Sequence, residues 1–265
     1  MFAILFSFPF EAKAALSRTP LYSGTIMEDV NVPISVTSSS FTPPDNSLLV
    51  VITGIQNFGT HGTVSVSGGG LTWTNRVDTG VQYLSAPPYY YSVLQIWTAP
   101  VTTAAAMAVT VASTDTSFLS DPSRVVIQTI AYTGYDTSNP TGVATTSQNM
   151  GDAAKTITFT SSPTVTSEVI AARYRQDNGT VSSTATPGSG WNEVYDEATS
   201  GGYGDIELMA RAGSTSQNIT WDDLSDNAAA SSWSTWGAAL EINAAIGRVI
   251  RLRGGVRLLG GVRLF

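Results

Sequence analysis

From about residue 30 the chain runs in short apolar stretches that alternate with polar positions and are separated by clusters of Gly, Pro, Asn, Asp and Ser. The stretches at 47–55 (SLLVVITGI), 63–67 (TVSVS), 93–99 (VLQIWTA), 107–113 (MAVTVAS) and 124–132 (RVVIQTIAY) are rich in β-branched and aromatic residues. A second series follows at 155–160 (KTITFT), 167–175 (SEVIAARYR), 204–212 (GDIELMARA), 217–221 (QNITW) and 236–243 (WGAALEIN). Such runs, bounded by turn residues, predict β-strands. No long stretch carries a helical period, and only 227–233 (NAAASSW) reads as a short helical turn. The pattern predicts an all-β chain forming an antiparallel two-sheet β-sandwich in jelly-roll or Greek-key order.

The two series correspond in order. SLLVVITGIQN matches SEVIAARYRQDN, and SGGGLTWTNRVDTG (67–80) matches PGSGWNEVYDEATSG (187–201). The stretches at 93–99, 107–113 and 124–132 match those at 204–212, 217–221 and 236–243. Five elements in one order and spacing indicate an internal duplication, with repeat-like halves at about 45–145 and 165–247. One repeat in each half of a sandwich is the expected packing. Trp73 and Trp191 fall at matching positions after a Gly-rich turn, and most tryptophans read as packing residues because one indole buries so much area.

Two terminal segments fall outside this pattern. Residues 1–29 begin with an apolar run (MFAILFSFPF) that resembles a signal-peptide core without a basic start and is too short to span a bilayer. Its Phe6, Phe8 and Phe10 are candidate docking residues. Residues 248–265 repeat in sixes: IRLRGG, VRLLGG, VRLF. In each unit Val or Ile and the following Leu share one face of an extended segment while Arg takes the other, and Gly-Gly permits a sharp bend. Such units cannot bury their own apolar face. Arg251, Leu252, Arg253, Val256, Arg257, Leu258, Val262, Arg263 and Leu264 are therefore candidate assembly residues, intertwining with other copies or adding strands to an open sheet edge. A membrane surface is the less favoured partner.

Charge sharpens this. The chain has 13 basic and 20 acidic residues, for a net of −7. Five of the arginines lie in 248–265, which has no acid, so the body keeps eight basic residues and a net of −12. That body repels nucleic acid and attracts a basic strap. Charged residues make up only 12% of the chain, a composition that suits a virion or extracellular protein.

Little points to catalysis. There is no cysteine, and the one histidine, His61, sits in a Gly/Thr-rich turn. A zinc site or a His-based triad needs more than this, so no metal and no cofactor are expected. No P-loop, dinucleotide or nucleophile-elbow motif is present. The carboxylates Glu193, Asp196 and Glu197, with Asp222, Asp223 and Asp226, are local clusters, the first a weak glycosidase candidate and the second a weak calcium candidate. Asn178-Gly-Thr180 and Asn218-Ile-Thr220 are formal glycosylation sequons. In APPYYYS (86–92), Pro87 and Pro88 bar a central strand and leave Tyr89, Tyr90 and Tyr91 crowded on a loop, a candidate contact for glycan or protein.

SGGGLTWTNRVDTG, VLQIWTAPV, AVTVAST and IAYTGYDTSNPTG together resemble a recurrent β-sandwich domain of phage structural proteins, such as tail fibres and capsid-decoration proteins, and of some bacterial secreted proteins. The resemblance covers roughly 45–145, with a weaker echo over 165–245, and carries no catalytic motif. It implies a non-enzymatic structural or binding role, assembling with copies of itself or another structural protein. The alternative is a secreted carbohydrate-binding or adhesion module that contacts cell-surface glycan, or a subunit of an extracellular filament.

Overall fold

The computed structural model describes residues 15–28, 34–60, 62–80, 82–83, 90–114, 116–117, 123–147, 155–176, 186–198, 204–222 and 234–245. Among them the regular structure is entirely β. The first half contains β1 (Ser17–Glu28), β2 (Ile34–Thr37), β3 (Ser47–Thr60), β4 (Val64–Ser67), β5 (Thr74–Asp78), β6 (Gln82–Tyr83), β7 (Tyr90–Val101), β8 (Thr110–Ser113), β9 (Thr116–Ser117) and β10 (Ser123–Thr133). The second half contains β11 (Thr141–Ser147), β12 (Lys155–Thr158), β13 (Glu168–Gln176), β14 (Thr186–Pro187), β15 (Asn192–Ala198), β16 (Gly204–Ala212), β17 (Asn218–Asp222) and β18 (Ser234–Ile242).

The pairing shows the duplication directly. In the first half a large sheet runs β1-β10-β3-β7-β5, with β6 on β7 and β9 on β3, and a small sheet runs β2-β8-β4. In the second half the large sheet is β11-β18-β13-β16-β15 and the small one β12-β17-β14. Leaving out the two-residue β6 and β9, each half has eight strands ordered 1-8-3-6-5 and 2-7-4. That is a jelly roll in which the fifth strand has moved beside the sixth. All strand pairs within these sheets are antiparallel. Trp73 and Trp191 each immediately precede the fifth strand of their half, so their predicted equivalence holds in the ladder register.

The sandwich is doubled rather than shared. Each repeat closes its own sandwich, one large sheet against one small sheet, and the two large sheets then pack face to face. Three cores result. Leu49, Val51, Ile55, Val109, Val111 and Ile127 fill the first sandwich. Phe159, Val169, Ala171, Met209, Ile219 and Trp221 fill the second. Between the large sheets lies a third core that draws on both repeats, including Leu48, Val50, Ile52, Leu94, Ile170, Tyr174, Leu208 and Leu240. The central strands of the large sheets are thus buried on both faces, which accounts for the unbroken apolar run Leu48–Ile52, every residue of it at most 1% exposed.

The turn into the fifth strand is built alike in both repeats. Leu71 N–H donates to Gly68 O, and Trp191 N–H to Gly188 O. A side chain at Gly68 or Gly188 would run into the carbonyl of Ala108 or Thr220 respectively, and Gly70 and Gly190 have φ of 65° and 82°.

Two sequence expectations change. The N-terminal arm is shorter than 1–29, because Ser17–Glu28 is the outermost strand of the first large sheet, paired with β10. Pro20 lies at a register shift on this edge strand, where a missing N–H costs no interior ladder bond. Tyr90 and Tyr91 open strand β7, opposite Phe58 and Asn57 of β3, so they extend the sheet and do not sit on the loop.

Candidate functional site

The predicted assembly residues Phe6, Phe8 and Phe10, the whole hexad tail from Arg251 to Leu264, His61 and Tyr89 lie outside the described residues, as do Asp223, Asp226 and the 227–233 turn. Of the carboxylates named from sequence, Glu193 and Asp196 lie on edge strand β15, with a register shift between Glu193 and Tyr195. Glu193 is exposed and Asp196 half-buried.

Asp196 stands directly opposite Glu207 on β16, and Glu207 stands opposite Arg173 on β13. Arg173 and Glu207 are each 2% exposed. The register identifies their counterparts in the first repeat as Asp78, Gln95 and Thr53. There Gln95 Nε2 donates to Asp78 Oδ2 at 2.7 Å, and Trp97 Nε1 donates to Gln95 Oε1 at 2.9 Å. Where the first repeat has Thr, Gln and Asp in register, the second has Arg, Glu and Asp, with Arg173 and Glu207 buried. These carboxylates stand on adjacent strands of one sheet with Arg173 on the next, an arrangement unlike two acids facing each other across a cleft.

Two further polar groups tie the molecule together. Arg18 of β1 donates to Glu168 Oε1 of β13 at 2.6 Å, and the buried Tyr132 hydroxyl donates to the same oxygen at 2.8 Å. This bridge links the repeats. Burial first, and then the Glu168 charge, push the Tyr132 phenol well above its usual range. Glu241 of β18 accepts from Ser167 Oγ and from the backbone amides of Thr164 and Val143. Burial alone would raise its carboxyl, but these hydrogen bonds outweigh burial and hold it below the usual carboxylate value.

The described tryptophans are packing residues. Trp221 is fully buried, Trp191 is 9% exposed with the Arg211 guanidinium 4.3 Å from its ring centre, and Trp73 donates to Gly68 O.

A cleft of about 250 Å³ opens where the edges of the two large sheets face each other, between β1 and β10 on one side and β15 on the other. Both edge strands are irregular there, β1 between Pro20 and Tyr22 and β15 between Glu193 and Tyr195. Gln128 lines the cleft, is 2% exposed, and its Nε2 has no hydrogen-bond partner among the described residues. Sequence reading passed over this residue, although a Gln inside the apolar run VVIQTIAY is a usable signal: an inward amide needs a partner. Arg173 and Glu207 carry the same signal within EVIAARYR and DIELMARA. Comparison of the chain with known protein families, curated proteins and solved structures finds no match.

Proposed function

We propose that this chain is a non-enzymatic structural protein of a virion, of the capsid-decoration or tail-fibre kind, in which a rigid tandem jelly roll is joined to its neighbours by its terminal segments. The observation that carries this reading is how fully the body uses its own apolar surface. The central strands of both large sheets are buried on both faces within the chain, and Val165 is the exposed large hydrophobic residue among those described. A body of this kind offers other copies little apolar surface to hold on to. The strongly apolar segments left over are 1–10 and the amphipathic hexads of 248–265. A basic strap of five arginines also complements a body of net −12. The resemblance of 45–145 to phage structural domains agrees with this role.

The test is truncation. A chain lacking 248–265 keeps the β-sheet spectrum and the unfolding midpoint of the full protein but loses its higher-order assembly in light scattering and electron microscopy. A truncated chain that assembles normally would refute the proposal.

A further inference from the structure

The edge cleft has a counterpart that is closed, and the comparison is informative. Because the two large sheets share one strand order and pack face to face, β1 meets β15 at one margin and β5 meets β11 at the other. At the second margin the strands approach closely, and β18 lies against β7. Three positions separate the margins. Gln128 of β10 corresponds to Ala238 of β18, since each pairs with the matching residue of the central strand, Ile52 or Ala172. Val194, at the register shift of β15, corresponds to Arg76 at that of β5. Ala210 of β16 corresponds to Thr98 of β7. At the closed margin the small Ala238 takes little room, and Arg76, exposed on β5, donates from Nε to Thr98 Oγ1 of the neighbouring strand β7 at 2.9 Å. At the open margin a larger Gln128 stands at the Ala238 position, and Val194 with Ala210 cannot form the Arg–Thr hydrogen bond.

We infer that the open margin is a binding site for a single neutral sugar ring, recognised through Gln128. Among the described residues no charged side chain lines the cleft, so an ionic ligand finds no counter-charge from them. A purely apolar ligand would leave the buried Gln128 amide unsatisfied, which carries the full desolvation penalty of that group. A carboxamide offers a donor and an acceptor from one plane and suits a hydroxylated ring. Pro20, Ile130 and Val194 give an apolar wall for the C–H face of the sugar, and Tyr195 adds an aromatic ring. At about 250 Å³ the space falls just below the range of drug-sized pockets, so one ring fits and an oligosaccharide would extend into solvent.

The experiment is ligand-observed saturation-transfer NMR on the full chain, with methyl glycosides of neutral hexoses and N-acetylhexosamines, repeated on Gln128→Leu, Val194→Arg and Tyr90→Ala. At least one glycoside binds the parent protein with millimolar affinity. Gln128→Leu and Val194→Arg each weaken it at least tenfold while keeping the parent unfolding midpoint within a few degrees, and Tyr90→Ala leaves it unchanged. Val194 is half-buried at a sheet edge, so this variant tests the cleft even if Gln128→Leu folds poorly. The inference is overturned if no glycoside in the panel binds, if binding survives both cleft variants, or if it is lost only in Tyr90→Ala. It is equally overturned if a peptide of residues 248–265 occupies the cleft and glycosides do not displace it.

Discussion

The ring of Tyr174 lies 2.9 Å from where a β-carbon on Gly54 would sit. The two residues occupy the same register position in the two repeats, Gly54 opposite Val126 and Leu94 on its neighbours, Tyr174 opposite Trp236 and Ile206. One central strand has given up its side chain so that the other can fill the space between the sheets. Gly54→Ala is therefore expected to destabilise the protein by about 1–3 kcal/mol through overpacking, and Tyr174→Ala by about 3–5 kcal/mol through the cavity it leaves. The double variant Gly54→Ala with Tyr174→Ala costs less than the sum of the two single changes, because the added methyl group enters the space the ring has left. Urea denaturation of the four proteins measures the non-additivity expected of residues in contact.

The Arg18–Glu168 pair holds an edge strand of the first repeat to the central strand of the second. Both side chains are largely shielded from water and share the Tyr132 hydroxyl. A double-mutant cycle on Arg18→Met and Glu168→Gln should give a coupling of about 1–3 kcal/mol, above that of a surface pair. Tyr132→Phe leaves the ion pair intact and is expected to cost about 1 kcal/mol.

The charge cluster of the second repeat can be tested by converting it to the first. Arg173→Thr removes the cation that stands opposite the buried Glu207 in register and should destabilise the protein. Adding Glu207→Gln recreates the Thr53, Gln95, Asp78 set and should restore stability to within about 1 kcal/mol of the parent, read from chemical unfolding. If the double variant is as unstable as the single one, the two clusters are not interchangeable.

Acid should act through Glu241. Its carboxyl titrates below its unfolded value in the folded chain, so its contribution is complete above about pH 4.3, the unfolded value. That contribution is lost as the pH falls through the lower, folded value. Thermal unfolding between pH 7 and pH 2 should show the parent losing stability in that acidic window. Glu241→Gln should start lower at pH 7 and lose less.

The duplication and the strand class were legible in the sequence because both rest on short-range signals. Turn glycines such as Gly68 and Gly188 and β-branched runs recur at matching offsets. The strands that escaped notice are the ones whose side chains carry little of their stability. β11 (TGVATTS) alternates between half-buried and exposed and is held by backbone pairing to β18, and β1 contains Pro20 and Gly24. The stacking of two sandwiches was written in the run Leu48–Ile52, which is apolar on both faces. An antiparallel strand is usually solvated on one face, and a single sandwich with one repeat in each half is the simpler expectation. Gln128, Arg173 and Glu207 escaped because a polar residue in an apolar strand acquires meaning only with its neighbours in the sheet, and those come from distant sequence.

The face-to-face packing of two like sheets has an ancestral consequence. A symmetric pair of identical subunits meeting at this surface would set Gly against Gly or Tyr against Tyr on the axis, leaving a void in one case and a clash in the other. Joining both copies in one chain, through the segment 134–140 whose Asp136 and Pro140 bond to Asn243, removes that restriction. Each copy is then free to mutate alone. The same fusion that settles Gly54 against Tyr174 at the centre also lets one margin of the interface carry Ala238 while the other carries Gln128 and stays open. The molecule thus has the architecture of a dimer and the lopsidedness of a monomer, and its two halves, expressed as separate chains, are expected to reunite as a heterodimer in preference to pairing with themselves.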